Sequence, residues 1–461
     1  MRPENVQFES ATVSSRQPSS HSGSRSVNGS TIASVPTVVP AAPKASEPNV
    51  NDCTLRKEPT DTRTAKQKKA EIIQLMALNW FVFLIGWNDG ANGPLLPRIQ
   101  EHYHVGYTVV SMIFVCSCGG FISGALINFV LTDRLGLGKV RRSMLQTLTF
   151  IILATTPPFP VFVIVYIMNG IGIALQYSQG LGLIASIKRN GDTKMGVFHA
   201  FYGLGALSSP FVATQFSQMP RHWAFYYLTT LGVAVSNTVV LTVVFGSKGL
   251  DECLRLIGED TEANEKDTRE RSSFNQVFRI KAVHFLAFFV LFYVGIEVSV
   301  GGWIVTFMLN VRGGGPNTGY ISSGFFAGLM FGRVGFIWLN RRLGPRLALF
   351  LYGFLVIGLE LIIWFVPSLI GGAVAVSFIG FLLGPMYPMA MVHAGAILPA
   401  QLLTSSVGWI AGFGQAGSAV LPFLTGAVAS KYGIRSLQPL TITLIGCMLC
   451  LWYLVPGKRR D

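Results

Sequence analysis

GWNDGANGPLLPR, residues 86–98, places a carboxylate, Asp89, inside a largely apolar run that extends from Ile72 to Leu96. A run of this length can cross the ~30 Å hydrocarbon core of a bilayer. Because an ionisable side chain is costly at that depth, we expect Asp89 to face a partner or a water-filled cavity and not lipid. The rest of the chain must then supply the other spans that enclose such a cavity.

The composition is that of a membrane protein. Of the 461 residues, 50% are hydrophobic and only 13% are charged, whereas a soluble domain averages about 25% charged residues. The formal net charge of +14 raises the question of nucleic-acid binding, which requires a basic face or stripe. Here the Lys and Arg residues lie in short clusters between apolar runs, so we expect no nucleic-acid partner.

The chain begins with a polar tail, residues 1–70, which is rich in Ser, Thr, Pro and Asn. Its composition predicts disorder.

Twelve apolar segments of spanning length follow this tail. The approximate limits of the segments are 71–97, 106–131, 142–158, 159–187, 194–217, 222–246, 280–311, 317–340, 346–366, 368–397, 401–430 and 436–456.

The basic residues between these segments alternate in density. They concentrate in the tail, in every second loop, in the long central loop and at the C-terminus, while the other set of loops holds only Arg98, Arg221, Arg312, Lys431 and Arg435. Because positive residues are retained on the cytoplasmic side, this distribution predicts that both termini are cytoplasmic.

An internal repeat divides the chain into two halves. Landmarks recur at a nearly constant spacing: Gly86 with Gly295, Arg134-Leu135-Gly136 with Arg342-Leu343-Gly344, Gly170 and Tyr177 with Gly380 and Tyr387, and Gly205 and Pro210 with Gly417 and Pro422. A parallel repeat with an even number of spans predicts two similar bundles around a central cavity. We therefore predict an all-α polytopic membrane protein with twelve transmembrane helices. Its parts are a cytoplasmic tail (1–70), an N-terminal six-helix bundle (71–246), a cytoplasmic central loop (247–279), a C-terminal six-helix bundle (280–456) and a short cytoplasmic tail (457–461).

Two stretches resemble the major facilitator superfamily of secondary transporters. The loop after the second span, TDRLGLGK (132–139), is similar to the cytoplasmic signature of that family, and the resemblance implies a gating role for Asp133, Arg134, Gly136 and Lys139. The seventh span, YVGIEVSVGGWIVTFM (293–308), resembles the fucose-permease-like sugar:cation symporters and their fungal relatives. The resemblance covers residues 71–456 and implies a sugar or a similar polar solute. Gly93 stands where that group has its first-span acid, and Asp89 precedes it by about one turn.

Two intramembrane carboxylates are the leading site candidates. Glu297 lies near the middle of the seventh span and Asp89 nearer the outer end of the first, and the repeat aligns Asn88 with Glu297. Acids at such positions usually bind substrate or a coupling cation, here a proton or a sodium ion. The alternative is a structural hydrogen bond to a neighbouring helix.

Other polar and aromatic residues are secondary candidates. Asn169 and Gln176 share a face of the fourth span, and His393 lies in the tenth. These residues either bind a polar solute or form interhelical hydrogen bonds. Tyr293 and Trp303 flank Glu297 and either stack on a sugar ring or serve in packing.

Glycine and proline predict two broken helices. Gly90 and Gly93-Pro94 interrupt the first span near Asp89, and Gly384-Pro385 interrupts the tenth. Freed backbone groups at membrane depth are tolerated where they line a cavity or find partners on neighbouring helices.

The sequence carries no sign of an enzyme. Cys447 and Cys450 form a CxxC pair without a second pair or a nearby histidine, and no nucleotide-binding loop is present, so we expect neither a metal site nor a cofactor. We predict a secondary active transporter that moves a small organic solute by alternating access, with cation coupling. One alternative is a proton-driven exporter of a metabolite or drug-like compound, and another is a solute sensor that transports nothing. We expect a monomer in the plasma membrane, with an organelle membrane as the second choice.

Overall fold

A computed structural model describes residues 63–132, 139–187, 189–246, 248–259, 276–399 and 402–457. Most of the predicted N-terminal tail, and Asp133, Arg134 and Gly136 of the signature loop, lie outside the described residues. Lys139 begins a helix, but its side chain also lies outside them.

Every regular element in these ranges is a helix. In chain order the α-helices are α1 Ala65–Gly90, α2 Asn92–Tyr103, α3 Tyr107–Val110, α4 Met112–Thr132, α5 Lys139–Ala154, α6 Phe159–Ser186, α7 Gly191–Ser217, α8 Phe225–Phe245, α9 Leu250–Ile257, α10 Lys281–Arg312, α11 Tyr320–Gly335, α12 Ile337–Phe365, α13 Leu369–Leu383, α14 Met386–Ile397, α15 Leu403–Tyr432 and α16 Leu437–Leu454. Short 3₁₀ turns lie at Pro316–Gly319 and Ile434–Ser436.

The predicted twelve spans are confirmed, although several consist of two helices. Nine helices within the described ranges are long and apolar enough to cross a membrane, and α5, α7 and α11 complete the set. The first, second and tenth spans are the pairs α1–α2, α3–α4 and α13–α14. Helix α12 joins the end of the eighth span to the ninth through a kink at Gly344, whose φ of 74° suits glycine. The cytoplasmic orientation of the termini stays a prediction.

The first helix begins before the predicted limit of residue 71. Thr64 caps it, because the Thr64 side chain accepts a hydrogen bond from the Gln67 backbone while the Gln67 side chain reaches back to the Thr64 backbone. Just inside this end, Glu71 pairs with Arg63 at 2.6 Å and also with Lys194 of α7. These ion pairs therefore connect the N-terminal end of α1 with α7.

Both predicted helix breaks are confirmed. Helix α1 ends at Gly90 and α2 begins at Asn92, while α13 ends at Leu383 and α14 begins at Met386. Hydrogen bonds across the break at Ala91 keep the two pieces in contact. The breaks therefore lie where glycine and proline made a continuous helix unfavourable.

The recurring glycines occupy corresponding helix crossings. Gly170 of α6 lies against the Ser117 carbonyl of α4, and Gly380 of α13 lies against the Phe325 carbonyl of α11. At the fifth and eleventh spans, Gly205 and Gly417 likewise face carbonyls of α1 and α10. None of these positions has room for a Cβ atom, so the sequence repeat reflects backbone-to-backbone packing. The exact domain limits stay predictions.

We expect Gly170→Ala to destabilise the N-terminal helices by about 1–3 kcal/mol, because the new methyl group overlaps the Ser117 carbonyl. The matched control is Gly182→Ala on the same helix, where a Cβ meets no described atom within 4 Å. The measurement is thermal unfolding of the purified protein in detergent. Equal midpoints for the two variants would show that the close crossing does not matter.

The central loop contains a helix that we did not predict. Helix α9, LDECLRLI, buries Cys253, Leu254 and Ile257 against α1 and α6, and Gln74 of α1 donates a hydrogen bond to the Cys253 carbonyl at 3.3 Å. Its apolar residues are spaced for one helical face. The high charge of the loop concealed that spacing.

Candidate functional site

Asp89 lies in the last turn of α1, directly before the break. The Tyr202 hydroxyl of α7 donates to its Oδ2 at 3.0 Å, and Asn88 Nδ2 lies 3.4 Å from its Oδ1. Asp89 and Asn88 are both half-buried. Both of the donors to Asp89 are neutral, and the roles of Asn88 and Asp89 in binding stay predictions.

The fifth and sixth spans hold this end of α1 in place. Trp87 Nε1 donates to Thr230 Oγ1 of α8 at 3.1 Å, and the Tyr226 hydroxyl donates to the Trp87 carbonyl at 3.1 Å. On the opposite side, Gly86 and Gly90 lie directly on the backbone of α7. Asp89 is therefore attached to a rigid frame.

Glu297 lies on α10 and is 8% exposed. One turn before it is Tyr293, and Arg333 of α11, which we had not assigned to the site, is near enough for its charge to act on Glu297, although the two described residues form no ion pair. Arg333 and Glu297 interact electrostatically. The Tyr293 hydroxyl and Arg333 Nε are buried without a hydrogen-bond partner of good geometry in the described part of the chain. Both atoms lie beside the Glu297 carboxylate, with which the Tyr293 hydroxyl also interacts.

Arg333 is the centre of a larger group that draws on both halves. Its charge acts on Tyr177, His199 and Tyr202 from the N-terminal half and on Tyr293 and Tyr387 from the C-terminal half. The Tyr293 and Tyr387 rings lie 6.1 Å apart. The break in the tenth span adjoins this group, since Gly384 packs against the Arg333 backbone.

The two carboxylates belong to one electrostatic site. Asp89 and Glu297 interact with each other through space, and Arg333 is half-buried like Asp89. Such a site can accept hydrogen bonds through two carboxylates, donate them through one guanidinium and several hydroxyls, and hold a proton or a metal cation. Among the described residues no cluster of three or more His, Cys, Asp or Glu side chains is placed to bind a metal.

The hydrogen bonds of Gln176 go to other amides and to the backbone, and Asn169 has none in the described part of the chain. Gln176 Nε2 donates to Gln146 Oε1 at 3.2 Å, and Asn237 Nδ2 donates to Gln176 Oε1 at 3.2 Å, which makes an amide cluster between α5, α6 and α8. Asn169 is fully buried on α6, and its side chain has no hydrogen-bond partner in the part described. Their roles as solute ligands stay predictions, without support from this arrangement.

Trp303 and His393 contact other residues, and the Trp303 ring lies 5.8 Å from the Tyr107 ring of the N-terminal half. Trp303 is fully buried, and its Nε1 donates to the Pro422 carbonyl at 3.1 Å. His393 Nε2 lies 2.9 Å from the Pro456 carbonyl, and its ring packs on Trp452. Of the two aromatic residues that flank Glu297, only Tyr293 therefore shares a site with it. Glu360 is buried in α12, and its Oε2 has no hydrogen-bond partner among the described residues.

The sequence held signals for part of what we missed. Arg333 is the intramembrane cation of the eighth span, and Tyr177 and Tyr387 are the tyrosines of the repeat. Charge at membrane depth and recurrence at one spacing were both visible. For Tyr202 and His199 no sequence signal distinguished them from packing residues.

The two halves are joined on one side of the site. We call this the outer side; it holds Tyr103, Ser217 and Arg312, which the predicted topology places outside the cytoplasm. Here Thr108 bonds with Ser430 at 2.8 Å across the halves. The two halves are therefore in direct contact on the outer side of the described structure.

Known proteins resemble this chain over most of its length. Bypass of stop codon protein 6 of Saccharomyces cerevisiae is 25% identical over 425 residues, which are 86% of this chain and 84% of the yeast protein. The glucose/mannose transporter of Bacillus subtilis is 24% identical over 359 residues, which are 75% and 85% of the two chains. The solved structure of the fucose:proton symporter of E. coli has a TM-score of 0.58 and 14% identity, and covers 85% of this chain and 99% of its own.

The family assignment follows from the sequence match together with the twelve-helix fold. The pattern of the Major Facilitator Superfamily matches residues 78–422, which is most of the chain. The predicted resemblance is thereby confirmed, and the protein is an integral multi-pass membrane transporter and not an enzyme. The chain belongs to the Major Facilitator Superfamily.

Proposed function

We propose that this chain couples the movement of a proton to that of a small, neutral, polyhydroxylated solute, and that it works by alternating access. The observation that carries the proposal is the group formed by Asp89, Glu297 and Arg333, which contains two carboxylates and a single guanidinium. The relatives that transport glucose and mannose, or fucose with a proton, support the same reading.

The charges of this group do not balance. With both carboxylates ionised, Arg333 compensates only one of them, and an uncompensated charge at membrane depth is unfavourable. Binding one proton, or one sodium ion, removes the imbalance. The empty site therefore has a physical reason to take up a single positive charge together with solute.

Asp89 is the better place for that charge. The charge of Arg333 acts on Glu297, whereas the hydrogen bonds that Asp89 receives from the described residues come from Tyr202 and Asn88. The other groups that act on Asp89 are the Glu297 carboxylate and the Tyr226 hydroxyl, and neither is cationic. A nearby anion favours the protonated form. We assign the coupling proton to Asp89, and we assign to Glu297 and Arg333 the role of a neutral pair that binds solute.

A neutral polyol suits the remaining groups. Its hydroxyls can donate to the carboxylates and accept from Arg333 Nε and the Tyr293 hydroxyl, both of which have no good partner among the described residues. Tyr293 and Tyr387 offer ring surface beside these donors, as sugar-binding sites commonly require. An anionic solute would add a second uncompensated charge, so we expect weaker transport of organic acids.

The test is solute uptake into proteoliposomes that contain the purified protein. We expect a labelled hexose or pentose to accumulate when a proton gradient is imposed, and to exchange with unlabelled solute when no gradient is present. Replacing the proton gradient by a sodium gradient separates the two cations. A non-transporting sensor would bind solute without flux, and an exporter would move solute against the direction of proton entry; either result contradicts the proposal.

A further inference from the structure

Two hydroxyls on the outer side press against glycines of the opposite half. Ser322 of α11 lies against Gly93 of α2, where a Cβ atom on the glycine would come within 2.8 Å of Ser322 Oγ. Thr214 of α7 lies in the same way against Gly319, directly before α11. Ser322 and Thr214 are both 0% exposed. Each hydroxyl is therefore enclosed by a contact that exists only while the outer side is closed.

Neither hydroxyl has a hydrogen-bond partner in the part of the chain that the structure describes. A buried hydroxyl normally finds a partner, because it gives up its bonds to water when it is enclosed. Closing the outer side therefore desolvates Ser322 and Thr214 without giving them a bond in return. Opening it separates each hydroxyl from its glycine and admits water.

A third contact of the same kind provides a comparison. Ser111 of the second span lies against Gly426 of α15, again a hydroxyl against a glycine of the other half. The Ser111 hydroxyl, however, donates to the Thr108 carbonyl of its own half at 2.8 Å. Its bond does not depend on whether the halves are together.

Other contacts on this side favour closure. The Thr108 backbone N–H donates to Ser430 Oγ at 2.9 Å, Gln218 Nε2 donates to the Pro316 carbonyl at 3.1 Å, and Gln215 bonds with Tyr320. The contact between the halves on the outer side (the seam) thus contains hydrogen bonds that stabilise the closed state. It also contains two hydroxyls that lose their hydrogen bonds to water in that state.

We propose that Ser322 and Thr214 oppose closure of the outer side and so keep the outer-open state populated. This inference rests on the alternating access of the proposed function. Removing either hydroxyl relieves the cost of closing while the shape of the contact is kept. The outer-closed state then gains population relative to the outer-open state.

The experiment measures the distance between spin labels on Met219 and Tyr432, which are exposed on the outer ends of the two halves (47% and 68%). All variants share a background in which the six native cysteines are replaced. We expect Ser322→Ala and Thr214→Val each to raise the ratio of closed to open populations by about 5-fold to 100-fold. Ser111→Ala should change it by less than about 2-fold, since its hydroxyl bonds in both states. The double variant should show roughly the product of the single effects.

The outcomes separate this inference from the proposal on which it rests. The inference alone is overturned if the wild type shows two distances and the ratio of closed to open populations does not rise in Ser322→Ala or Thr214→Val. A rise of equal size in Ser111→Ala also overturns it, because any loss of bulk at the seam would then suffice. A single distance in every variant and at every solute concentration overturns the inference together with alternating access.

Discussion

We expect Asp89→Asn to abolish the proton-driven accumulation of solute that we propose and to leave solute exchange in place. A membrane potential of 100 mV supplies about 2.3 kcal/mol per charge moved, which supports roughly 50-fold accumulation when one proton enters with each solute. The amide carries no exchangeable charge, but it can still accept the Tyr202 hydrogen bond. We therefore expect the accumulation ratio to fall to about 1. The measurement is labelled-solute uptake into proteoliposomes with and without the imposed potential.

The matched control for this variant is Glu360→Gln. Glu360 is also a buried carboxylate within a span, 2% exposed on α12, but its surroundings contain none of the site residues named above. We expect Glu360→Gln to retain potential-driven accumulation. Retention of full accumulation by Asp89→Asn, or its loss in both variants, would rule out the assignment of the proton to Asp89.

We expect the simultaneous neutralisation of Glu297 and Arg333 to lower the stability of the protein and its affinity for solute less than the neutralisation of either residue alone. Removing one partner of a buried pair leaves an uncompensated charge and costs up to about 3–5 kcal/mol, whereas replacing both partners is often close to neutral. The cost here should lie at the lower end, because Arg333 is half-buried. We expect Glu297→Gln and Arg333→Gln to unfold at lower temperature than the double variant, and to bind solute more weakly.

The double variant also tests which carboxylate carries the proton. If Asp89 does so, Glu297→Gln with Arg333→Gln retains accumulation under a membrane potential, although more solute is needed to saturate it. Loss of accumulation with exchange preserved would return the coupling role to Glu297. A double variant that is less stable than both single variants would show that the two residues do not act as a pair.

The sequence predicted the fold well because membrane-spanning segments carry strong local signals. The length of an apolar run and the glycine and proline residues at a break can each be read from a short stretch of the chain. The recurring glycines at the crossings can likewise be read directly from the sequence. Helix α9 was missed since its apolar face is short and lies within a charged loop. The start of α1 was missed because its first turns, with Lys66, Lys68 and Lys69, are polar.

The candidate site was predicted only in part, because it is made from residues far apart in the sequence. Depth identified Asp89 and Glu297, and depth together with the family-like surroundings of Glu297 favoured Glu297, but the action of the Arg333 charge on Glu297 reverses that order in our proposal. Gln176 had the correct chemistry, yet its face of α6 turns toward Gln146 and Asn237. Which side of a helix faces a cavity depends on how neighbouring helices pack, and the sequence does not contain that information locally.

The two helices of the first span, which meet at Ala91, pack on different neighbours. Helix α1 packs on α7 and α8, while α2 packs on α10 of the other half as well as on α7. In a rotation of the two halves, the ends of α1 and α2 that lie far from Ala91 are displaced most and the residues beside Ala91 are displaced least. Asp89 is next to Ala91, so under the mechanism that we propose its carboxylate stays nearly in place while the exposure of the site changes from one side of the membrane to the other.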